Sequence, residues 1–326
     1  MPIPSTCFAT LPTIHAGSPV NQQVAILLCT YQGEKYLAEQ LNSFTAQTYP
    51  NWTLWISDDG STDSTLSQLS AFAQQNDPGQ VTVRPGPRKG FVKNFMSLIC
   101  EPTLHADYYA LSDQDDIWHA DKLERAVNWL RQIPEGQPAL YCTRTELIND
   151  AGQRIGFSPL FSRPPAFANA LMQNVAGGNT MVMNHAAREL LREAGADVDV
   201  IAHDWWVYIV ISACGGQVHY DGQPSLRYRQ HGDNLIGANA GLGARLLRIR
   251  MLFQGHLKLW TDQHIHAITP LLPKLTPANR RIFDRFISAR QRSLLPRMVG
   301  IKRSGVYRQT VLGNLGLLAA AVSNRI

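Results

Sequence analysis

The chain has 326 residues, 44% of them hydrophobic and 17% charged, which builds a sizeable globular core and excludes a disordered or fibrous protein. Its five cysteines (Cys7, Cys29, Cys100, Cys142, Cys214) are odd in number and form no C-x-x-C pair, arguing against a disulfide frame or zinc site and for reduced thiols of a cytoplasmic protein. The net charge of +5 hides an asymmetry: residues 245–326 carry 15 Lys and Arg against two acids, while residues 1–244 carry 15 against 23.

Residues 1–22 read as a loose lead-in rich in Pro, Ser and Thr, without the basic start and apolar run of a secretory signal. VAILLCTY (Val24–Tyr31) is a continuous apolar run closed by polar residues, the mark of a strand buried on both faces. GEKYLAEQLNSFTAQTY follows with helical spacing of Tyr36, Leu37, Leu41 and Phe44. A second strand ends at Ser57, an acidic turn follows, and Thr62 or Asp63 caps the next helix. GQVTVRP is a third strand, GFVKNFMSLIC a helix and ADYYALSD a fourth strand; DKLERAVNWLRQI is an amphipathic helix and PALYCTRTELIND one further strand. Strands alternating with helices predict an α/β, doubly wound, mainly parallel sheet, with ligands beyond the carboxyl ends of the strands.

After Asp150 the alternation weakens. FSRPPAFANALMQNVAGGNTMVMN reads as loop, helix and strand, HDWWVYIVISACGG as an apolar helix, and VHYDGQPSLRYRQHGDN as short strands and loop. From Leu242 the pattern is helical and basic, divided by Pro270, Pro273, Pro277 and Pro296. The longest late apolar stretch, Val311–Val322, falls short of the about 20 residues a membrane span needs. The expected organisation is therefore a lead-in (1–22), one α/β domain (23–241) and a basic helical region (242–326). The last is attracted to anionic lipid at about 1 kcal/mol per basic residue near the surface. No recognised motif points to nucleic acid.

Three carboxylates crowd into SDQDDIW: Asp113, Asp115 and Asp116. Hard divalent ions such as Mg2+ or Mn2+ take one or two carboxylates plus substrate phosphates. The same acids would also complement the start of the following helix, but three exceed what a cap needs. Asp58 and Asp59 stand where the second strand stops, placed to accept from a base or ribose, or simply to form an acidic turn closed by Gly60. Neither G-x-G-x-x-G nor G-x-x-x-x-G-K-[ST] follows the first strand, which weighs against a dehydrogenase and a P-loop NTPase.

Three stretches, AILLCTYQGEKYLAEQLNSFTAQTYPNWTLWISDDGSTDST, GFVKNFMSL and YYALSDQDDIWHADKLE, resemble in order and spacing the family 2 glycosyltransferases of the GT-A fold. HDWW and YRQHGDNLIG are most similar to bacterial rhamnosyltransferases of surface-polysaccharide synthesis. The resemblance implies that Thr30, Tyr31, Glu34, Asp58, Asp59, Lys89, Asn94, Asp113 and Gln114 line the nucleotide-sugar site. It implies Asp115, Asp113 and His231 as metal ligands, with Asp116 matching an extra acid common in the family. Gly177, Gly178, Asn179, Trp205 and Trp206 would face the acceptor, and Arg227 and Arg229 are close enough in sequence to assist with phosphate. Asp204 stands where the family keeps its catalytic base; His203 replaces the Glu more often found before it.

The reading is an inverting, Mg2+- or Mn2+-dependent glycosyltransferase on the cytoplasmic face of a membrane. It would move a sugar, favoured as rhamnose from dTDP-rhamnose, to a lipid-linked saccharide in O-antigen or capsule-type synthesis. The same acids also suit a nucleotidyltransferase or phosphohydrolase, and a binding protein without catalysis would use them structurally.

Overall fold

The computed structural model describes residues 22–230 and 256–326. Most of the lead-in, the boundary placed at 242 and His231 lie outside the described residues.

Val24–Thr30 (β1) is the hub, because every side chain in it is buried. It pairs in parallel with Trp52–Asp58 (β2) on one side and Tyr108–Ser112 (β4) on the other. Val81–Pro85 (β3) extends the sheet beyond β2. Ala139–Thr143 (β6) pairs in parallel with Gln217–Asp221 (β10), and antiparallel Val182–Asn184 (β9) stitches β6 to β4. Among the described residues the order is β10-β6-β9-β4-β1-β2-β3.

Alternate residues of β1 explain the double winding. Val24, Ile26 and Leu28 pack with helices α1 (Leu37–Thr45), α2 (Thr65–Gln74) and α4 (Lys122–Leu130). Ala25, Leu27 and Cys29 face α3 (Phe91–Ile99) and α7 (His203–Ala213) across the sheet. Each fully buried Leu or Ile contributes about 1.5–3 kcal/mol relative to exposure, so β1 anchors both layers.

The stretch PALYCTRTELIND, expected as one strand, holds two. Glu146–Ile148 (β7) leaves the main sheet and joins Ile117–Trp118 (β5), Leu226–Arg229 (β11) and Arg154–Phe157 (β8) in a second, four-stranded sheet. The break falls at Arg144, whose N–H donates to the Asp221 carbonyl of β10 while Thr145 turns to Ser158. Helix α6 (His185–Ala194) is also added to the expected set; Asn184 caps it by accepting from the Ala187 N–H at 3.0 Å.

The C-terminal helices are α8 (His256–Ile268), α9 (Pro277–Arg290), α10 (Leu294–Ser304) and α11 (Val311–Val322). Pro277 begins α9 at a position that needs no N–H. Pro296 lies in the first turn of α10 rather than between helices. Phe283, Phe286, Ile301 and Leu317 join the core that holds α7.

Candidate functional site

Strands β1 and β2 end at the same level, Thr30 beside Asp58, and β4 ends two residues short of them, Ser112 beside Leu28. The loops that follow therefore meet in one crevice, and short polar side chains knit them. Gln114 clamps the loop after β1: its Oε1 accepts from the Tyr31 N–H at 2.8 Å and its Nε2 donates to the Tyr31 carbonyl at 2.9 Å. Gly33 makes room for the clamp, since a Cβ there would lie 2.3 Å from Gln114 Oε1. Tyr31 itself stays 59% exposed at the mouth. Glu34 accepts from the N–H and hydroxyl of Ser64 at the start of α2.

Asp58 is buried and saturated: the hydroxyls of Thr30 and Ser61 and the N–H groups of Gly60 and Ser61 all donate to it at 2.6–3.1 Å. A carboxylate has about four acceptor positions, so Asp58 shapes the turn and retains no capacity for a base. Asp59 accepts from the N–H groups of Arg88 (2.6 Å) and Gly90 (2.8 Å), leaving half its capacity. Asn94 is buried, donates to the Ser57 carbonyl at 2.9 Å, and its Oδ1 has no partner among the described residues. Lys89 is exposed on the rim.

The acid loop after β4 is built differently. Asp113 and Asp115 are half-buried and Asp116 fully so. Asp116 accepts from the Asn179 amide at 2.5 Å and the Arg229 N–H at 3.2 Å. Burial and the charges of Asp115 and Asp113 nevertheless push its carboxyl well up. Burial, then the charges of Asp115 and Asp204, push Asp113 up to about 7, with Lys122 pulling the other way. The Lys122 amine is fully buried 3.4 Å from the Trp118 ring centre and donates to the Asn179 carbonyl; burial lowers its pKa well below the usual lysine range, against the pull of Asp116 and Asp113. It occupies the apolar face of α4 with Ala126 and Leu130 at four-residue steps. That placement was the signal available in the sequence for a residue the motif reading passed over.

Asp204 sits in the first turn of α7. It accepts from the Trp205 N–H at 2.6 Å and the Gly178 N–H at 3.2 Å. Burial dominates and raises its carboxyl to about 6. Gly178–Thr180 is a 3-10 turn that touches both groups of acids: Gly178 donates to Asp204 and Asn179 holds Asp116. The turn thus joins the loop after β4 to α7. Gly178 and Asn179 are buried in that joint, and a Cβ on Gly177 would meet Asn179 Oδ1 at 2.7 Å.

His203 packs against Gly178 and makes no hydrogen bond to the acids. Its ring stacks on Phe95 at 3.8 Å, both nitrogens lack partners among the described residues, and burial lowers it to about 3. It is a neutral packing group. Trp205 donates from its indole to the Ala170 carbonyl at 2.7 Å and packs edge-on against Trp260 and His264. Trp206 has no exposed surface and belongs to the core, so it offers no face to a sugar. Arg229, one of the two arginines expected to assist with phosphate, is buried and spends its guanidinium on the Asp115 and Asp150 carbonyls and on Glu39; Arg227, the other, is exposed.

Among the described residues, no three His, Cys, Asp or Glu side chains converge to hold a metal unaided. The donor set still fits a hard divalent ion that completes its shell with phosphate oxygens and water: two acids of one loop, one raised by the other's charge.

A doubly wound, mainly parallel sheet, with acids at its strand ends and a carboxylate opposite them on a later helix, defines a GT-A glycosyltransferase. The chain belongs to glycosyl transferase family 2, whose profile matches residues 25–193. It is 29% identical over 241 residues to dTDP-rhamnosyl transferase RfbG of Shigella flexneri, spanning 69% of this chain and 78% of that one. It is 25% identical over 262 residues to the uncharacterized glycosyltransferase RT0329 of Rickettsia typhi, spanning 75% and 74%. In fold it is similar to S. aureus TarS 1-349, solved in complex with UDP, with a TM-score of 0.55 at 13% identity over 93% of this chain and 88% of that one.

Proposed function

We propose that this glycosyltransferase inverts the anomeric centre, using Asp204 as base against a nucleoside-diphosphate sugar seated over the loops after β1, β2 and β4. The observation that carries the reading is the pairing of Asp204 with the acid loop. The charge of Asp204 is felt at Asp113, and the Gly178–Asn179 turn bonds to both sides.

The chemistry follows from that pairing. Asp204 takes the proton of an acceptor hydroxyl as its oxygen attacks the anomeric carbon, and the nucleoside diphosphate leaves from the opposite face. With its carboxyl near 6, Asp204 is ionised at neutral pH yet basic enough to share that proton. The N–H groups of Trp205 and Gly178 aim it. Asp115 and Asp113 would hold Mg2+ or Mn2+, His231 being the third candidate ligand; such an ion stabilises charge on the departing diphosphate. Asp59 and Glu34, with Thr30 behind them, shape the nucleotide end; Tyr31 offers an exposed ring to the base. Lys89 and Asn94 flank the diphosphate side, and Gly177 and Trp205 border the acceptor.

Similarity to RfbG supports rhamnose from dTDP-rhamnose as donor. A lipid-linked saccharide is the acceptor we favour, with the domain of residues 23–241 working at the cytoplasmic membrane face and the basic region from 242 onward beside anionic lipid. Among the described residues no helix is long and apolar enough to cross a membrane. The test is product analysis with a panel of nucleotide-sugars, Mn2+ and saccharide acceptors. The proposal expects intact dTDP and a rhamnosylated acceptor; cleavage between phosphorus atoms would identify a phosphohydrolase or nucleotidyltransferase instead.

A further inference from the structure

Eight of the fifteen exposed large apolar side chains among the described residues fall within residues 294–322, so they form a patch rather than a scatter. In α11, Val311 (80% exposed), Leu315, Leu318 and Val322 recur at steps of four, three and four residues and line one outward face. Leu317, Ala320 and Ala321 turn inward. In α10, Leu295 (76% exposed) and Val299 share an outer face with Lys302 and Arg303. Val299, Lys302 and Leu318 line one groove between the helices, which makes the two faces a single surface. Monomeric soluble proteins rarely expose contiguous apolar patches beyond a few hundred Å².

Charge selects the occupant. After Asp284 the chain has eight Lys and Arg and no acid. A second copy laid on this face would bring like charges together, whereas an anionic bilayer satisfies the apolar and cationic groups at once. At 12 residues, α11 is too short to span a membrane and suited to lie in its interface.

The hairpin is also fixed to the site. Arg297 of α10 donates to the Ala321 carbonyl of α11 at 3.1 Å. Between the helices, Asn169 donates to the Tyr307 carbonyl, and Gln309 donates to Asn169 Oδ1 and to Gln173. Asn169 belongs to the short helix α5 (Phe167–Ala170), which accepts from Tyr208 and Trp205 of α7. Trp205 adjoins Asp204.

We propose that the α10–α11 hairpin is an interfacial wedge. Val311, Leu315, Leu318 and Val322 enter the headgroup region of an anionic bilayer, while Lys302 and Arg303 meet lipid phosphates. The wedge holds α7 at a set position relative to the lipid surface. It deepens the reading of a membrane-borne acceptor and rests on that reading for its purpose alone.

The experiment is flotation of the full chain with vesicles of phosphatidylcholine, with and without phosphatidylglycerol. The wild type is expected to float with the anionic vesicles and much less with the zwitterionic ones. Leu315→Glu with Leu318→Glu should lower partitioning about tenfold to a hundredfold, and Lys302→Gln with Arg303→Gln about tenfold. Leu160→Glu, an exposed residue outside the patch, should change nothing; thermal melts confirm that each variant is folded. Unchanged flotation of the double Glu variant would overturn the wedge. So would a wild type that ignores vesicles and sediments as a dimer which the same substitutions split. Transfer to a water-soluble acceptor should survive in the double Glu variant. A chain that floats but transfers no sugar would defeat the enzymatic reading and leave the wedge standing.

Discussion

The two halves of the crevice are held together in opposite ways. After β1 and β2, each acid has its donors: Asp58 has four, Asp59 two backbone N–H groups, Glu34 both groups of Ser64. After β4 the acids face one another, and Asp113, Asp116 and Asp204 are all raised. The nucleotide half is complete as folded. The reacting half crowds its acids together, and burial lowers the pKa of the neighbouring Lys122 amine, so it gains most from an incoming cation.

Substitutions can break that contrast. The largest effect is expected from Asp115→Asn, which removes a charge from the loop that would face the diphosphate: turnover should fall about 100- to 1,000-fold, and Mn2+ should no longer raise the melting temperature. Lys122→Met removes the buried amine that donates to the Asn179 carbonyl, leaves that carbonyl without this donor, and should cost about 1–3 kcal/mol in denaturant unfolding. Asp58→Asn strands donors in the other half; a loss of about 1–3 kcal/mol is expected, with turnover per folded molecule changed little.

The smallest effect sharpens the comparison through pH. The folded-state carboxyl of Asp113 lies above its unfolded value, so its contribution to stability is full below the unfolded pKa and is lost as pH rises through about 7. Metal-free protein should therefore gain more melting temperature from Mn2+ at pH about 8 than at pH about 6. An equal gain at both would mean that Asp113 does not meet the ion.

The sequence made one half more legible than the other, for physical reasons. Continuous apolar runs and acid turns at strand ends mark β1, β2 and β4, and their order places the crevice. The joint between the acid loop and α7 is less visible, because Asn179 and Gly178 act through backbone and amide groups that leave no period. Lys122 hides in an amphipathic helix as one more charge, and only its place on the apolar stripe betrays it. The single strand expected over PALYCTRTELIND fails because a run of β-forming residues cannot report that Arg144 carries the chain from one sheet to another. Trp205 and Trp206 read alike in sequence; helix rotation sends one to the Trp260 cluster and buries the other.

The most direct test of the account is turnover and donor affinity measured together for Asp204→Asn. The account predicts that turnover falls about 100- to 10,000-fold while the nucleotide-sugar dissociation constant stays within a few-fold of the wild type. Near-normal turnover, or a loss explained wholly by weaker donor binding, would contradict a catalytic base at this position.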